Sequence, residues 1–370
     1  MITLGRHHRG SGRRAQWSAV AIALTCSFGL TAFSAAQSPA ASDVQPAPVA
    51  ATPIEPTSIV LVLPLGSPAF GRVAEAVRAG FLAAAQAAKV KPRVIGHGDD
   101  DVLIAFAEAK TAGARVIVGP LIRDDMKKVA DAGLDLPPTI ALNQLDEGTA
   151  LPANMYSLSL TIDNEARQLA RRARDDGALT VAVIASETPR QQRFASAFNA
   201  EWILAGGAAP VMYRFDPSPE GLRLLRRELA RTPFGAVLLA VDAMDAALAK
   251  PYVGKRQSYT SSQVNERRPP ASLRDLDDVR FIEMPWVVDA DAAAFVDLKR
   301  PDYPNATLDR LYALGIDAFR VAQTFAEGMP EKFEFDGATG HVALDATRQF
   351  VREGRLMHFE AGRIVPVNPR

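Results

Sequence analysis

Polar side chains and free backbone groups that follow the predicted strands are the best-placed residues of this chain for binding a small molecule. In an open parallel sheet, ligands lie outside the carboxyl ends of the strands, where loops and helix N-termini present unpaired N–H groups. The hydroxyl and carboxylate side chains at such positions have an alternative role as helix caps, which the sequence leaves open. The candidate positions are Ser67, Pro68, Ala69, Pro120, Leu121, Asn143, Gln144, Ser186, Thr188 and Asp242.

No catalytic or metal-binding pattern accompanies these positions. The chain contains neither a GxSxG nor an SxxK nucleophile motif, and it has no GxGxxG or GxxxxGK[ST] phosphate loop. The histidines beyond the N-terminal leader, His97, His341 and His358, are far apart in the sequence and form no HExxH pattern. We therefore expect a protein without catalytic residues, metal or cofactor.

The charge balance argues against nucleic-acid binding. The chain has 42 basic and 42 acidic side chains, and the first 36 residues hold four of the arginines and no acid. The remaining chain therefore has 38 basic and 42 acidic side chains. Such a mildly acidic body lacks the basic face that displaces phosphate counterions, so no nucleic-acid partner is expected.

The first 36 residues have the organisation of a secretory signal peptide. Arginines precede an apolar stretch at 17–33, and the small residues Ser34, Ala35 and Ala36 follow it. The stretch is shorter and more interrupted than a membrane-spanning helix requires, so we expect cleavage near Ala36 and export to the periplasm. Cys26, the only cysteine, leaves a second interpretation open, in which it carries a lipid anchor that places the protein at the outer membrane.

The rest of the chain divides into a tether and a folded body. Residues 37–57 are rich in Pro and Ala and have almost no large apolar side chains, which is typical of an extended linker. Residues 58–370 exceed what one core usually holds, and they alternate short apolar strands with helical patterns, beginning with 58–65 and 71–88. This alternation predicts an α/β fold of two doubly wound parallel-sheet lobes joined by a hinge.

The order of the elements also gives approximate lobe boundaries. Lobe 1 is expected to comprise 58–157 and about 290–330. Lobe 2 is expected to comprise 158–289 and about 331–370, and the apolar segment 280–288 is predicted to be one of its strands.

A polar segment at 250–278 lacks both strand and helix periodicity. A long loop of this kind is either a solvated connection or a contact surface for a partner protein or an anionic glycan-peptide. Its SSQVN end has a further interpretation as a short structured piece near the cleft. The partner-surface candidates are Lys255, Arg256, Tyr259, Gln263, Arg267 and Arg268.

Several short segments carry a resemblance to a known family. They are RVIVGPLIRDD at 115–125, ALN at 141–143, YTSSQVN at 259–265, EMPW at 283–286, ALGIDAFRVA at 313–322 and GATGHVALD at 337–345. In this order, across nearly all of 58–368, they resemble the penicillin-binding protein activator (LppC/LpoA) family. The opening strand, its Pro-Leu-Gly-Ser loop and the helix after it resemble the type I periplasmic binding fold, the Venus flytrap.

The resemblance implies a noncatalytic periplasmic regulator that docks on a class A penicillin-binding protein and stimulates its transpeptidase activity. The alternative is a solute-binding protein for an amino acid or small peptide. Flytraps of that kind fix the α-carboxylate with hydroxyl and backbone donors, a role for Ser67, and the α-ammonium with a carboxylate, a role for Asp242 or Asp317. A muropeptide is a further candidate ligand, and contact with a membrane is expected only through an N-terminal lipid anchor.

Overall fold

The computed structural model describes residues 58–146, 148–266, 273–289 and 292–367. All of them belong to one compact unit, Pro53–Arg370. The predicted signal peptide, Cys26, the predicted tether, Arg267 and Arg268 lie outside the described residues. Within the described ranges, no helix has both the length and the apolar character that crossing a bilayer requires.

The first lobe is built on a five-stranded parallel sheet with strand order β2-β1-β3-β4-β5. Its strands are β1 Ile59–Leu63, β2 Arg93–Gly96, β3 Val116–Val118, β4 Thr139–Ala141 and β5 Met155–Ser157. Helices α1 Gly71–Ala87, α2 Val102–Thr111 and α3 Arg123–Asp131 alternate with these strands. Every residue of β1 is buried. Its side chains alternate between two apolar clusters, as expected for a strand with helices on both faces of its sheet.

The second lobe is built on a seven-stranded sheet with strand order β15-β14-β10-β9-β8-β6-β7. The strands are β6 Val181–Ala185, β7 Val211–Arg214, β8 Ala236–Ala240, β9 Gln257–Thr260, β10 Val279–Glu283, β14 Arg355–Glu360 and β15 Arg363–Pro366. The first five are parallel, and β14 and β15 add antiparallel strands at one edge. Its helices are α4 Ile162–Asp175, α5 Pro189–Leu204, α6 Pro219–Arg231 and α7 Ala243–Val253. The predicted pair of helix-layered parallel sheets is therefore confirmed.

A small antiparallel sheet near the C-terminus belongs to the first lobe and not, as predicted from the boundary at 331, to the second. It consists of β11 Glu334–Asp336, β12 His341–Leu344 and β13 Phe350–Glu353. Phe333 and Phe350 bury their rings in the first core, with centroids 5.3 Å apart. Burial of these aromatic rings decides the placement, and only the chain after Gly354 returns to the second sheet.

The segment 280–288 is not a single strand, which corrects the prediction. Strand β10 ends at Glu283, and Pro285 begins a short helix, α8 Pro285–Val288. Proline has no N–H for a sheet ladder and suits the first helical turn, which explains the change of structure. The helix places Trp286 in the first core, where its ring stacks on Tyr312 at 5.1 Å.

The chain therefore crosses between the lobes at three places in the described part of the structure. The first crossing is 158–161, between β5 and α4; the second is Met284, between β10 and α8; the third is Gly354, between β13 and β14. These crossings lie side by side, because residues of all three line one cavity. Together they form the hinge predicted from the sequence.

Two glycines let the longest helix of the first lobe, α9 Ala306–Glu327, lie directly on α1. A Cβ atom added at Gly315 would stand 2.1 Å from the carbonyl oxygen of Val77, and one added at Gly80 would stand 1.9 Å from that of Tyr312. Neither distance is tolerable, so any larger residue forces the helices apart.

We predict that Gly315→Ala lowers the free energy of unfolding by about 1–3 kcal/mol, because the added methyl group overpacks the α1–α9 contact. The direction of the change tests the packing, because replacing glycine by alanine at an unconstrained helical site raises the free energy of unfolding by roughly 1 kcal/mol. Urea denaturation of the wild type and the variant measures the difference. A stabilised variant would contradict the packing described above.

Candidate functional site

A cavity of about 740 Å³ lies between the two lobes and is called the cleft below. Its walls come from α3 and α9 of the first lobe and from α4 and α5 of the second, and its floor comes from the three crossings. Of the residues singled out from the sequence, Asn143 and Gln263 line it. The remaining ligand candidates lie outside its lining.

Two of those candidates, Ser67 and Asp242, already accept hydrogen bonds from backbone N–H groups at or just before helix N-termini. The hydroxyl oxygen of Ser67 accepts the N–H of Phe70 at 3.2 Å, in the turn that leads into α1. Asp242 accepts the N–H groups of Met244 and Asp245 at 2.9 Å each and caps α7. Asp242 thus has the capping role that the sequence left open, whereas Ser67 closes the turn before α1, whose N-cap residue is Phe70.

The other candidates after the strands stay in the loops of their own lobes, with one exception. Pro120 and Leu121 are buried after β3, Pro68 and Ala69 are exposed before α1, and the hydroxyl groups of Ser186 and Thr188 lie 3.3 Å apart. Asn143 donates to the carbonyl oxygen of Leu121 and accepts the N–H of Gln144, each at 2.9 Å. The exception is Gln144, whose amide group donates across to Asp163 of α4 at 3.3 Å.

Asp317 is fully buried in the first lobe and does not face the cleft. Its carboxylate accepts the N–H groups of Ala338 and Thr339 at 2.8 and 2.7 Å and the hydroxyl of Thr339 at 2.7 Å. Burial raises the pKa of this carboxyl, while Thr339 and Arg320 oppose the shift. Asp317 thus holds the β11–β12 turn against α9 and has no free oxygen facing a ligand.

The partner-surface candidates at 250–278 divide into buried and exposed residues. Tyr259 is not at the surface, which corrects that prediction: it is completely buried in β9, and its hydroxyl donates to Asp176 at 2.7 Å. Arg256 is half-buried and donates to the carbonyl oxygens of Val253 and Leu229 at 2.9 and 2.8 Å. Lys255 is exposed, and Gln263 accepts a hydrogen bond from Gln191 at 3.2 Å at the edge of the cleft.

A group of charged and polar side chains that the sequence analysis missed lies at the cleft floor; we call Glu165, Ser262, Asn265, Glu283 and Arg310 the hinge network. Glu283 and Arg310 form its centre, with side chains 0% and 11% exposed and an Nη2–Oε2 distance of 2.6 Å. Arg310 also donates from Nε to Oε1 of Glu283 at 3.1 Å and from Nη2 to the carbonyl oxygen of Ser262 at 2.8 Å. An arginine of the first lobe is thereby bound to two parts of the second lobe, the end of β10 beside the second crossing and the segment at Ser262.

Every polar atom of the Glu283 carboxylate is used in this network. Oε1 accepts the N–H of Met284 at 2.9 Å in addition to Arg310, and Oε2 accepts from the side-chain amide of Asn265 at 2.7 Å. A buried charge is tolerated only with such complete hydrogen bonding. Ser262 and Asn265 belong to the YTSSQVN segment and Glu283 to EMPW, so the matched motifs were the one sequence signal that pointed here.

Glu165 joins the network from the first turns of α4. It accepts the N–H of Ser262 at Oε1, and its Oε2 lies 3.1 Å from the hydroxyl of the same residue. Burial raises the pKa of Glu165 to about 8, against the lowering effect of Ser262 and Arg310. The group is therefore largely a neutral carboxylic acid at pH 7.

Within the described ranges, no three His, Cys, Asp or Glu side chains come together in a way that would hold a metal ion. The cleft instead offers five arginines, of which Arg310 is the most enclosed, together with a neutral carboxylic acid and hydroxyl groups. Such a set binds and orients a polar molecule by hydrogen bonds and charge.

Comparison with known proteins adds a family match to this geometry. The family model described as "LppC putative lipoprotein" matches residues 49–223 and 218–362. A curated relative, the penicillin-binding protein activator LpoA of Mannheimia succiniciproducens, is 28% identical over 329 residues, covering 86% of this chain and 56% of that protein. The chain spans about half the length of the curated relatives it matches.

Two solved structures share the fold across most of the chain. A protein of Chromobacterium violaceum, assigned provisionally to a branched-chain amino acid ABC transporter, has a TM-score of 0.73 and 33% identity, with 81% of this chain and 99% of that one covered. The C-domain of Haemophilus influenzae LpoA, described as a regulator of PBP1A, also has a TM-score of 0.73, with 23% identity and coverage of 84% and 99%. The predicted type I periplasmic binding fold is therefore confirmed.

We predict that Arg310→Met lowers the free energy of unfolding by about 3–5 kcal/mol, because it leaves the buried Glu283 carboxylate without its cation. Arg214→Met is the matched control: it breaks an ion pair with Glu187 whose side chains are 74% and 67% exposed, and it should cost less than about 1 kcal/mol. Chemical denaturation of both variants makes the comparison. Equal effects would show that the hinge network contributes no more than a surface ion pair.

A second prediction concerns the pH dependence of stability. Folding raises the pKa of Glu165 from 4.5 to about 8. The contribution of this group to the free energy of unfolding is therefore complete below pH 4.5 and is lost as the pH rises to about 8. Glu165→Gln cannot ionise, so the wild type should lose stability relative to this variant across that range, by at most about 1.4 kcal/mol per pH unit. Denaturation of both proteins at a series of pH values tests this. Parallel curves would mean that Glu165 is ionised in the folded protein.

Proposed function

The chain belongs to the LppC family, and from that premise we propose that it is a noncatalytic periplasmic regulator that docks on a class A penicillin-binding protein and stimulates its peptidoglycan transpeptidase activity. The observation that carries the proposal is the continuity of the family match across both lobes. Eight curated relatives share the name penicillin-binding protein activator LpoA. The fold of this chain also covers almost the whole C-domain of a regulator of PBP1A.

The sequence contains neither of the nucleophile motifs GxSxG and SxxK, which agrees with a regulator that acts by binding. The regulator would change the activity of its partner through contact, and it would need a rigid body to do so. The hinge network supports this, because it fixes the first lobe to the second through Arg310.

A second candidate function is solute binding in transport or sensing. Two observations favour it: the provisional assignment of the Chromobacterium violaceum structure and the polar, ligand-sized cleft. The names of the curated relatives favour the regulator. The two functions are separable, because one requires the outer surface and the other the cleft.

Location in the cell follows from the same proposal. The family description points to a lipoprotein of the cell envelope. We propose that residues 1–36 direct export, with Cys26 as the lipid-bearing residue if the anchor is present and Ala36 as the cleavage position if it is not. Mass spectrometry of the mature N-terminus separates these two outcomes.

The proposed docking surface includes basic residues of 250–278, of which Arg267 and Arg268 lie outside the described residues. Lys255 lies at the surface just before β9, and Arg267 and Arg268 follow it in the sequence. Positive side chains of this kind steer association with an acidic partner surface.

We predict saturable binding of the full chain to a detergent-solubilised class A penicillin-binding protein from the same cell, together with faster peptide crosslinking. Titration with binding and crosslinking rate measured in parallel checks both. The triple variant K255E/R267E/R268E should weaken binding by about tenfold or more. K91E, a charge reversal at an exposed site of the first lobe, is the control and should bind normally.

Two results would contradict the proposal. The absence of binding at about tens of micromolar, which is weak for a specific pair, would exclude a direct regulator of that enzyme. Binding that is lost equally in the triple variant and in K91E would show that overall charge, and not this surface, governs the interaction.

A further inference from the structure

Arg352 and Arg190 are the two arginines of the cleft lining whose terminal nitrogens have no partner among the described residues, and of the two only Arg352 is half-buried. It lies on β13, lines the cleft floor, and donates from Nε to the carbonyl oxygen of Ser159 at 3.0 Å. Among the described residues, its two terminal nitrogens have no hydrogen-bond partner, and no carboxylate oxygen lies within 4.0 Å of them. Burial lowers the pKa of Arg352 to about 10, so the guanidinium still carries its charge at neutral pH.

The neighbouring charges are already balanced. Five arginines and three glutamates line the cleft. Arg310 is paired with Glu283, Arg193 with Asp163, and Arg123 with Asp146. Arg190 and Arg352 have no such partner among the described residues, and Glu165 is largely neutral at pH 7. Glu266 also lines the cleft, and the Asp317 carboxylate acts on Arg352 electrostatically without forming an ion pair with it, so what Arg352 lacks is a directly bonded carboxylate.

The position of Arg352 is fixed before any ligand arrives. Strand pairing of Arg352 with Val342 and the bond to Ser159 hold its stem. Gln168, which lines the cleft nearby, is held by two bonds to Gly354, from Nε2 at 2.7 Å and to Oε1 at 3.0 Å. A guanidinium that is held in one place and keeps two donors free matches the two oxygens of a carboxylate.

We propose that the cleft binds a small carboxylate-bearing molecule, with the carboxylate received by the terminal nitrogens of Arg352. The terminal nitrogens of this half-buried guanidinium contact no carboxylate among the described residues, and a bound anion would supply the hydrogen-bonded partner that they lack. The cavity of about 740 Å³ is far larger than a carboxylate, so the ligand has further groups that contact the hydroxyl and amide side chains of the lining. The carboxylate is either the C-terminus of a short peptide or part of a free organic acid.

This site differs from the one inferred from the strand ends. The earlier prediction placed a ligand carboxylate at Ser67, which lies outside the cleft lining and is engaged with Phe70. Arg352 reaches the cleft from the third crossing, where β13 leads into Gly354. The proposal is independent of the partner enzyme, because binding is measured with the full chain alone.

Calorimetric titration of the full chain with tri-alanine, tri-alanine amide and succinate tests the proposal. We expect tri-alanine or succinate to bind and the amide to bind at least about tenfold more weakly, because it lacks the anion. Preference for tri-alanine identifies a peptide C-terminus as the source, and preference for succinate identifies a free acid. Equal binding of tri-alanine and its amide, or no binding of either carboxylate at millimolar concentration, would overturn the proposal.

Variants separate Arg352 from general positive charge. Arg352→Gln should weaken carboxylate binding by about 10- to 100-fold, whereas Arg190→Gln, which removes a cation at the exposed edge of the cleft, should change it by less than about threefold. Arg352→Lys keeps the charge but not the paired donors, and it should also lose about tenfold. This third variant keeps the test decisive if Arg352→Gln fails to fold. Unchanged affinity in Arg352→Lys would refute the role of the guanidinium.

Discussion

The buried ion pair between Glu283 and Arg310 is the constraint on which the arrangement of the two lobes depends. Glu283 ends a strand of the second sheet, and the next residue already belongs to a crossing into the first lobe. Its two oxygens are satisfied only when α9, the Ser262–Asn265 turn and the crossing meet at one point. A buried carboxylate without these partners would be costly, so the pair selects one relative placement of the lobes.

Much of the fold could be predicted from the sequence, because apolar strands and amphipathic helices alternate along it. The failures have one physical origin: polar residues whose hydrogen bonds are made by distant parts of the chain. Tyr259 and Thr260 made 250–278 resemble a loop, yet their hydroxyls are satisfied by Asp176 and the carbonyl oxygen of Leu239 in a buried strand. Likewise, the segment that contains Phe333 and Phe350 joins the first lobe because these two rings pack against each other in its core. No local sequence pattern indicates this contact.

The candidate site was less predictable than the fold. Rules about strand ends led to residues such as Ser67 and Asp242, which have the right chemistry but are bonded as caps or loop contacts. Arg310 and Glu283 are 27 residues apart, and Glu165 and Ser262 are 97 apart. Their contacts exist only after the crossings have brought the lobes together. Pairings of this kind leave no periodic signal, and motif resemblance was the only trace of them.

The three crossings also constrain the order in which the two lobes can fold. The first core needs α9 and the rings of Phe333 and Phe350, and the second sheet needs its edge strands from Arg355 to Pro366. Neither half can therefore complete its native packing before the segments that follow α9 have been synthesised, although β1 comes early in the chain. The contacts that complete each core are of long sequence separation, so both cores close late in folding and depend on the C-terminal segments.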